Sequence, residues 1–390
     1  MRQSRKAAIV AAAAALVVAS PTAALAGGGG GHGGHGGHGG HGGHGGHGDH
    51  GDGPPVRTVA GGLDGPRQLS DYEDGNLVVA ESDSGEVSSI DVHSGEVTTL
   101  LSGLPLAQGV DYRRGLLYVA VGEAPPPEPG APAAPPPAGP ASVVIVAEPD
   151  GDVRATYDLL QYELDNNPDG QTQFVDGVPV DALSNPFSVL AQRKRILVAD
   201  AGANAVLSID RWSGEISTFF VPPVVDDVEG CAGAENNPGT TGCDPVPTEI
   251  AEGPDGLVYV GTLGAEVPGA GKVYVLDHHG DVVRVIEGLT SVTGVAVDRK
   301  GTVYVSDLLE GAPPMDGPPP ADFDPATVGE LTRITRHGEM SHAQVTMPTG
   351  LEIQHGELYA SAWSVAAFVG LPAGSGEVVV VDDDAWEAHR

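Results

Sequence analysis

Residues Thr248–Asp277 read TEIAEGPDGLVYVGTLGAEVPGAGKVYVLD. Three short apolar runs in this stretch are separated by a Gly-Pro-Asp-Gly turn and by a loop rich in proline and glycine. Runs of this length, rich in valine and tyrosine and bounded by turn residues, predict β-strands rather than helix. The middle run, VYVG at Val258, recurs along the chain as LVVA at Leu77, LYVA at Leu117, ILVA at Ile196, VYVS at Val303 and LYAS at Leu358. Before each lies a turn and a shorter strand; after each lies a third strand, and in several units a fourth such as EVTTLL or DVVRVI. Four antiparallel strands per unit, repeated in fixed order, predict an all-β, six-bladed β-propeller, because one blade cannot bury both of its faces alone.

The ends of the repeat predict how the ring closes. The sixth unit stops after its third strand, GEVVVVDDD. At the other end, VRTVAGGL (Val56–Leu63) matches the fourth strands VTTLLSGL (Val97–Leu104) and VVRVIEGL (Val282–Leu289), each ending in Gly-Leu. The N-terminal strand is therefore expected to complete the last blade and leave no open edge there.

Three segments follow. Residues 1–26 read as a signal peptide, with Arg2, Arg5 and Lys6 ahead of an apolar centre and Ala24-Leu25-Ala26 at the cut. Residues 27–55 form a Gly/His arm, expected to be disordered because glycine-rich sequence cannot offset its ordering entropy. Residues 56–390 form the propeller. No second apolar run reaches spanning length, so a secreted protein with no membrane span is expected. A formal net charge of −34 repels nucleic acid. Cys231 and Cys243 are the two cysteines, and export makes a disulfide between them the expectation. A monomer is expected.

The long irregular segments fall between second and third strands or between fourth and first strands, which share one face. Gly122–Ala141, Gln161–Ala182, Pro222–Pro245, Thr262–Gly271, Asp307–Gly329 and Ala362–Gly376 should all decorate that face, with Trp363 and Phe368 as exposed apolar anchors. The opposite, plain face should carry tight turns. Loops on one side of a rigid scaffold are where binding concentrates.

Candidate site residues come from three places. Equivalent positions on the first strands offer Arg67, Gln108, Phe187, Thr248, Thr293 and Thr349, with Asp64, Asn185 and Glu249 close by; these are expected to line the channel as ligand contacts or as water-satisfied wall. Second strands end in Glu81, Asp200 and Asp307, which would either bind a hard cation such as calcium or accept N–H bonds in local turns. His32, His35, His38, His41, His44, His47 and His50 are spaced to hold zinc, copper or nickel loosely. No G-x-S-x-G elbow, phosphate loop or H-E-x-x-H is present, so no catalytic set is complete and no cofactor is firmly implied.

NPFSVL (Asn185–Leu190), ILVADAGANAVLSID (Ile196–Asp210), the stretch quoted first and GVAVDRKGTVYVSDL (Gly294–Leu308) resemble the ScyD/ScyE family of exported β-propellers. The resemblance runs from Val56 to about Asp384 and implies an exported propeller; the loop-decorated face, the expected disulfide and the missing catalytic set point to a module that binds a small molecule or a protein. NHL-type and gluconolactonase-like propellers are similar at a lower level. That second likeness implies an alternative, a metal-dependent lactonase-like hydrolase or lyase using the channel. Asp64 and Asn185 would match two of its metal ligands, while Thr293 or Thr349 stands where an aspartate is wanted.

Overall fold

The computed structural model describes residues 55–123, 139–180, 182–313, 320 and 322–388. The expected signal peptide, nearly all of the histidine arm and most of the proline loop Gly122–Ala141 lie outside the described residues. Six sheets stand around an axis. Blade 1 takes Pro66–Asp71, Leu77–Glu81, Glu86–Ile90 and Val97–Leu101. Blade 2 takes Ala107–Arg113, Leu116–Val121, Val143–Ala147 and Val153–Asp158. Blade 3 takes Pro186–Ala191, Arg195–Asp200, Ala205–Asp210 and Ile216–Phe220. Blade 4 takes Pro247–Glu252, Val258–Thr262, Gly271–Leu276 and Val282–Leu289. Blade 5 takes Val292–Val297, Val303–Asp307, Glu330–Ile334 and Met340–Ala343. Blade 6 takes Leu351–Gln354, Glu357–Ala362 and Gly376–Val381, and its outer strand is Val56–Leu63.

The closing strand pairs antiparallel with Gly376–Val381, from Val56↔Val381 to Leu63↔Gly376. Its buried residues, Ala60 and Leu63, pack with Val378 and Val380 of blade 6 and with Leu69, Leu77 and Val79 of blade 1. One strand therefore seals a blade and a seam together. The C-terminus adds a second fastening, absent from the sequence reading. Glu387–Ala388 pairs with Met340–Ala343 as a fifth strand of blade 5, and Trp386 stacks on Tyr304 with Arg333 over its ring.

The core is a ring of apolar seams. Val78, Ala80 and Val87 of blade 1 meet Val110, Leu117 and Val119 of blade 2. Equivalent clusters join blades 2 and 3, 3 and 4, 4 and 5, and 5 and 6. Alternation along each strand sends successive side chains to opposite faces, and both faces of every blade are covered by neighbours.

The connection between blades 2 and 3 folds more than its sequence predicted. Leu159–Asn166 is an α-helix, capped by Asp158 accepting from Gln161 N at 2.9 Å and ended by left-handed Asn167. A two-stranded hairpin follows, Phe174–Val175 against Val178–Pro179. Asp176 and Gly177 both have positive φ there, which suits a tight two-residue turn. The Cys231–Cys243 disulfide is formed. Its loop packs Val225 and both cysteines against Ala270, with Val267 alongside, so two insertions of the loop-bearing face brace each other.

Candidate functional site

The first strands run from the loop-bearing face toward the plain face. In five of them a bulge interrupts the register close to the start. A bulge re-aims the side chains that follow it. The expected ligand ring is consequently a set of blade-to-blade staples. Gln108 Nε2 donates to Pro186 O (3.2 Å), Thr248 Oγ1 to Val292 O (2.6 Å), Thr293 Oγ1 to Pro348 O (3.0 Å) and Thr349 Oγ1 to Pro66 O (2.9 Å). Each bond crosses to the next blade. Arg67 and Phe187 break the pattern: Arg67 Nε donates to Ser82 Oγ of its own blade at 3.0 Å, and Phe187 is a buried ring with nothing to donate. Burial lowers the Arg67 pKa, against the pull of Asp83.

Glu81, Asp200 and Asp307 are latches. Each ends a second strand and accepts the backbone N–H of a residue just ahead of the first strand: Asp64 N at 2.8 Å, Asn185 N at 2.6 Å and Thr290 N at 3.0 Å. Each also accepts a hydroxyl, from Ser88 (2.6 Å), Ser184 (2.6 Å) and Thr332 (2.9 Å). Three blades thus fix the entry of the chain with the same device, which leaves these carboxyls pointing into their own blades. Burial raises all three pKa values against these hydrogen bonds, Asp200 to about 6 and Asp307 to about 7.

Asp64 and Asn185 do not converge on a metal position. Asp64 Oδ1 accepts from Gly374 N on the blade 6 loop. Asn185 Oδ1 accepts from Gln108 Nε2 at 2.6 Å and from Glu123 N at 3.0 Å. Thr293 and Thr349 are spent as staples. Among the described residues, no group of three or more His, Cys, Asp or Glu is placed to hold a metal ion. The residues present therefore do not fit a lactonase-like ligand set.

The residues that do face the lumen lie further along the strands. Gln68 of blade 1 crosses the axis. Its Nε2 donates to Val189 O (3.0 Å) and to Glu249 Oε1 (2.9 Å), and its Oε1 accepts from Val189 N (3.0 Å). The amide passes over Gly109, where a Cβ would stand 2.8 Å from Gln68 Oε1 and 2.7 Å from Ser188 Cα. On the plain-face side of this crossbar is a cavity of about 200 Å³, lined by Ser70, Asp111, Glu249, Glu252, Glu352 and apolar wall. Glu249 Oε1 takes a second bond from Ile250 N (2.9 Å), while Oε2 is buried with no partner. Burial pushes Glu249 well above the usual carboxylate range and Glu352 up to about 8, the latter helped by the charges of Asp111 and Asp71.

A second concavity, of about 930 Å³, lies along blade 5 between Thr290, Asp307, Glu310, Glu330, His342 and Glu387. His342 Nδ1 meets Glu330 Oε1 at 2.5 Å across neighbouring strands. The sequence reading left His342 without a role. Its signal was there: Thr332 and His342 are register partners, two residues from Glu330.

On the loop-bearing face the blade 2–3 hairpin exposes Phe174 (42%), Val175 (45%) and Val178 (64%). Phe368 is also open, whereas Trp363 packs beside Leu308, Val328 and Met347. The hairpin is held at its base. Gln173 Nε2 donates to Glu163 O (2.8 Å) and Oε1 (3.0 Å), and Gln171 Nε2 donates to Asp244 Oδ1 (2.6 Å) beside the disulfide. Burial raises Glu163 to about 7.

No family model and no curated protein matches the sequence. Solved structures share the architecture. A luciferin-regenerating enzyme aligns with a TM-score of 0.50 at 10% identity, over 86% of this chain and 98% of its own. A protein of unknown function from Bacteroides thetaiotaomicron aligns with a TM-score of 0.51 at 11% identity, over 84% of this chain and 75% of its own. A gluconolactonase from Xanthomonas campestris gives 0.49 at 10% identity, over 84% and 89%. The chain is a six-bladed β-propeller. At such identities the likeness concerns the fold and carries no activity.

Proposed function

We propose that this propeller is an exported, ScyD/ScyE-like binding module that engages a protein partner through its loop-bearing face. The observation that carries the reading is the braced hairpin with Phe174, Val175 and Val178 in solvent. Exposed aromatic and branched side chains on a pre-ordered element are what a protein interface uses, because little entropy remains to be lost on docking. The disulfide supports an oxidising compartment. No helix among the described residues is long and apolar enough to cross a membrane. In this reading the arm bearing His32 to His50 is a tether with loose zinc, copper or nickel affinity. Deleting it should remove weak nickel retention and leave the melting temperature unchanged.

The test is site-specific photo-crosslinking in the exporting cell. A benzophenone side chain at position 178 should yield a discrete adduct that Phe174→Ser abolishes. The same group at position 212, where Trp212 is exposed in a plain-face turn, should not yield it. Equal adducts from both positions, or none from 178, would refute the assignment.

A further inference from the structure

The plain-face mouth of the channel has features that the loop-face reading does not use. The cavity beyond Gln68 gathers carboxyl groups from three blades: Asp111 from blade 2, Glu249 and Glu252 from blade 4, and Glu352 from blade 6. None of the residues lining it is basic. Asp111 is satisfied, with Oδ1 accepting from Ser70 Oγ (2.8 Å) and Oδ2 from Ala191 N (2.6 Å). Glu249 is not. The residue is 3% exposed and lines the cavity; its Oε2 meets no donor at hydrogen-bond distance, although the Ser188 hydroxyl lies close enough to hold its pKa down against burial. Ionising this carboxyl leaves a buried acceptor, a cost that a donor entering the cavity would offset.

We propose that this mouth binds an organic ammonium group, with Glu249 Oε2 as its innermost acceptor and Glu352 as a second. An ammonium carries three donors and no acceptor, which matches lining carboxyls that, once ionised, offer acceptors alone. Carboxyls spread around a tube, with no three of them placed to hold a metal ion, suit such a group better than a divalent cation. The wall between them includes Leu69, Val189, Ile250 and Val295, which suits a methylene chain. The volume is below that of drug-sized pockets and fits a short alkylamine.

Binding should be coupled to proton release. The charged groups around the lumen are Asp71 of blade 1, Asp111 and Arg113 of blade 2, Glu249 and Glu252 of blade 4 with Arg195 of blade 3 acting on Glu252, and Glu352 of blade 6. Blade 5 presents Val295, Ala296 and Val297. Burial raises the pKa of Glu249 and lifts that of Glu352 to about 8. A cation favours the ionised forms, so affinity rises with pH while these groups are still protonated, by about tenfold per pH unit for each coupled proton.

The experiment is calorimetric titration of the full exported chain with putrescine, near pH 6 and near pH 8, in two buffers of different ionisation heat. The expected result is saturable binding, stronger at the higher pH, with a buffer-dependent heat that reports released protons. Glu249→Gln keeps an acceptor for Gln68 and Ile250, and should weaken binding about tenfold or more. Glu352→Gln should flatten the pH dependence, and it carries the test if Glu249→Gln fails to fold. No saturable heat with putrescine at about millimolar concentration, unchanged binding in both variants, or calcium competing for the site more strongly than the diamine would each overturn the proposal.

Discussion

Ring closure by Val56–Leu63 supports a quantitative prediction. The strand pairs at six register positions with Gly376–Val381. At about 1 kcal/mol net per strand hydrogen bond, that ladder contributes roughly 6 kcal/mol. Leu63 is fully buried in the seam between blades 6 and 1, worth about 2–3 kcal/mol more. The sum falls inside the whole stability of an ordinary domain, about 5–15 kcal/mol. Removing residues up to Leu63 should therefore abolish the cooperative fold, whereas Leu63→Ala, costing about 3 kcal/mol, should not. For a ring of roughly 330 residues, at about 2.1 cal/mol/K per residue, that cost lowers the melting temperature by about 4 °C. Calorimetry of three proteins decides it: a form starting at residue 27, one starting at residue 55, and one starting at residue 64. The first two should melt together. If the shortest form melts with them, the strand is an accessory and the closure argument fails.

Three further outcomes follow from the same geometry. Thr349→Val preserves shape but strips the hydrogen bonds to Pro66 O and Ser364 Oγ, and should cost about 1–3 kcal/mol in urea denaturation. Glu266 has a buried Oε1 without a partner, and burial alone lifts its pKa from 4.5 to about 8. Because the folded value is raised, the folded state holds the proton more tightly and stability falls as pH rises through that window. Glu266→Gln should thus match the parent near the lower value and melt progressively higher than it up to the upper one; a pH-independent difference would contradict the assignment. Replacing Cys231 and Cys243 by serine removes a bridge of sequence separation 12 and should cost about 3 kcal/mol by urea unfolding.

Strand count, blade order and closure were legible because each rests on a repeated pattern. VYVG and its five counterparts mark the second strands, and every one of them is a second strand. What failed to show lacked repetition or length. Glu387–Ala388 is two polar-flanked residues whose pairing depends on Trp386 finding Tyr304 across the rim. The helix Leu159–Asn166 is eight residues inside a connection, and its signals are Asp158 as cap and Asn167 as stop. Capping residues also populate turns, so they do not separate a short helix from a loop.

The channel shows how equivalent positions can share a geometry that their residue types do not reveal. Aligning the blades picked Arg67, Gln108, Phe187, Thr248, Thr293 and Thr349 as one ring, and four of these do share one geometry, donating to the next blade's backbone. What re-aims the residues beside them is the bulge. A strict period of two assigns faces by counting from the strand start, and a bulge there shifts every later residue to the other face. Gln68, Asp111 and Glu249 reach the lumen behind such bulges, whereas Glu352 reaches it from blade 6, whose first strand pairs without a register shift. At the position of Gln68 and Glu249 the remaining blades carry Ser188, Gly109, Gly294 and Gly350, so no type repeats all the way round. The glycines are required there: a Cβ on Gly294 would stand 1.9 Å from Thr349 O, and one on Gly350 would stand 2.3 Å from Arg67 O. Close approach of the inner strands forces small residues at some blades and frees others to project across the axis. The asymmetry that hid Gln68 and Glu352 from a repeat-based reading is the same asymmetry that lets Gln68 bar the channel beside Glu249, which was expected to line it.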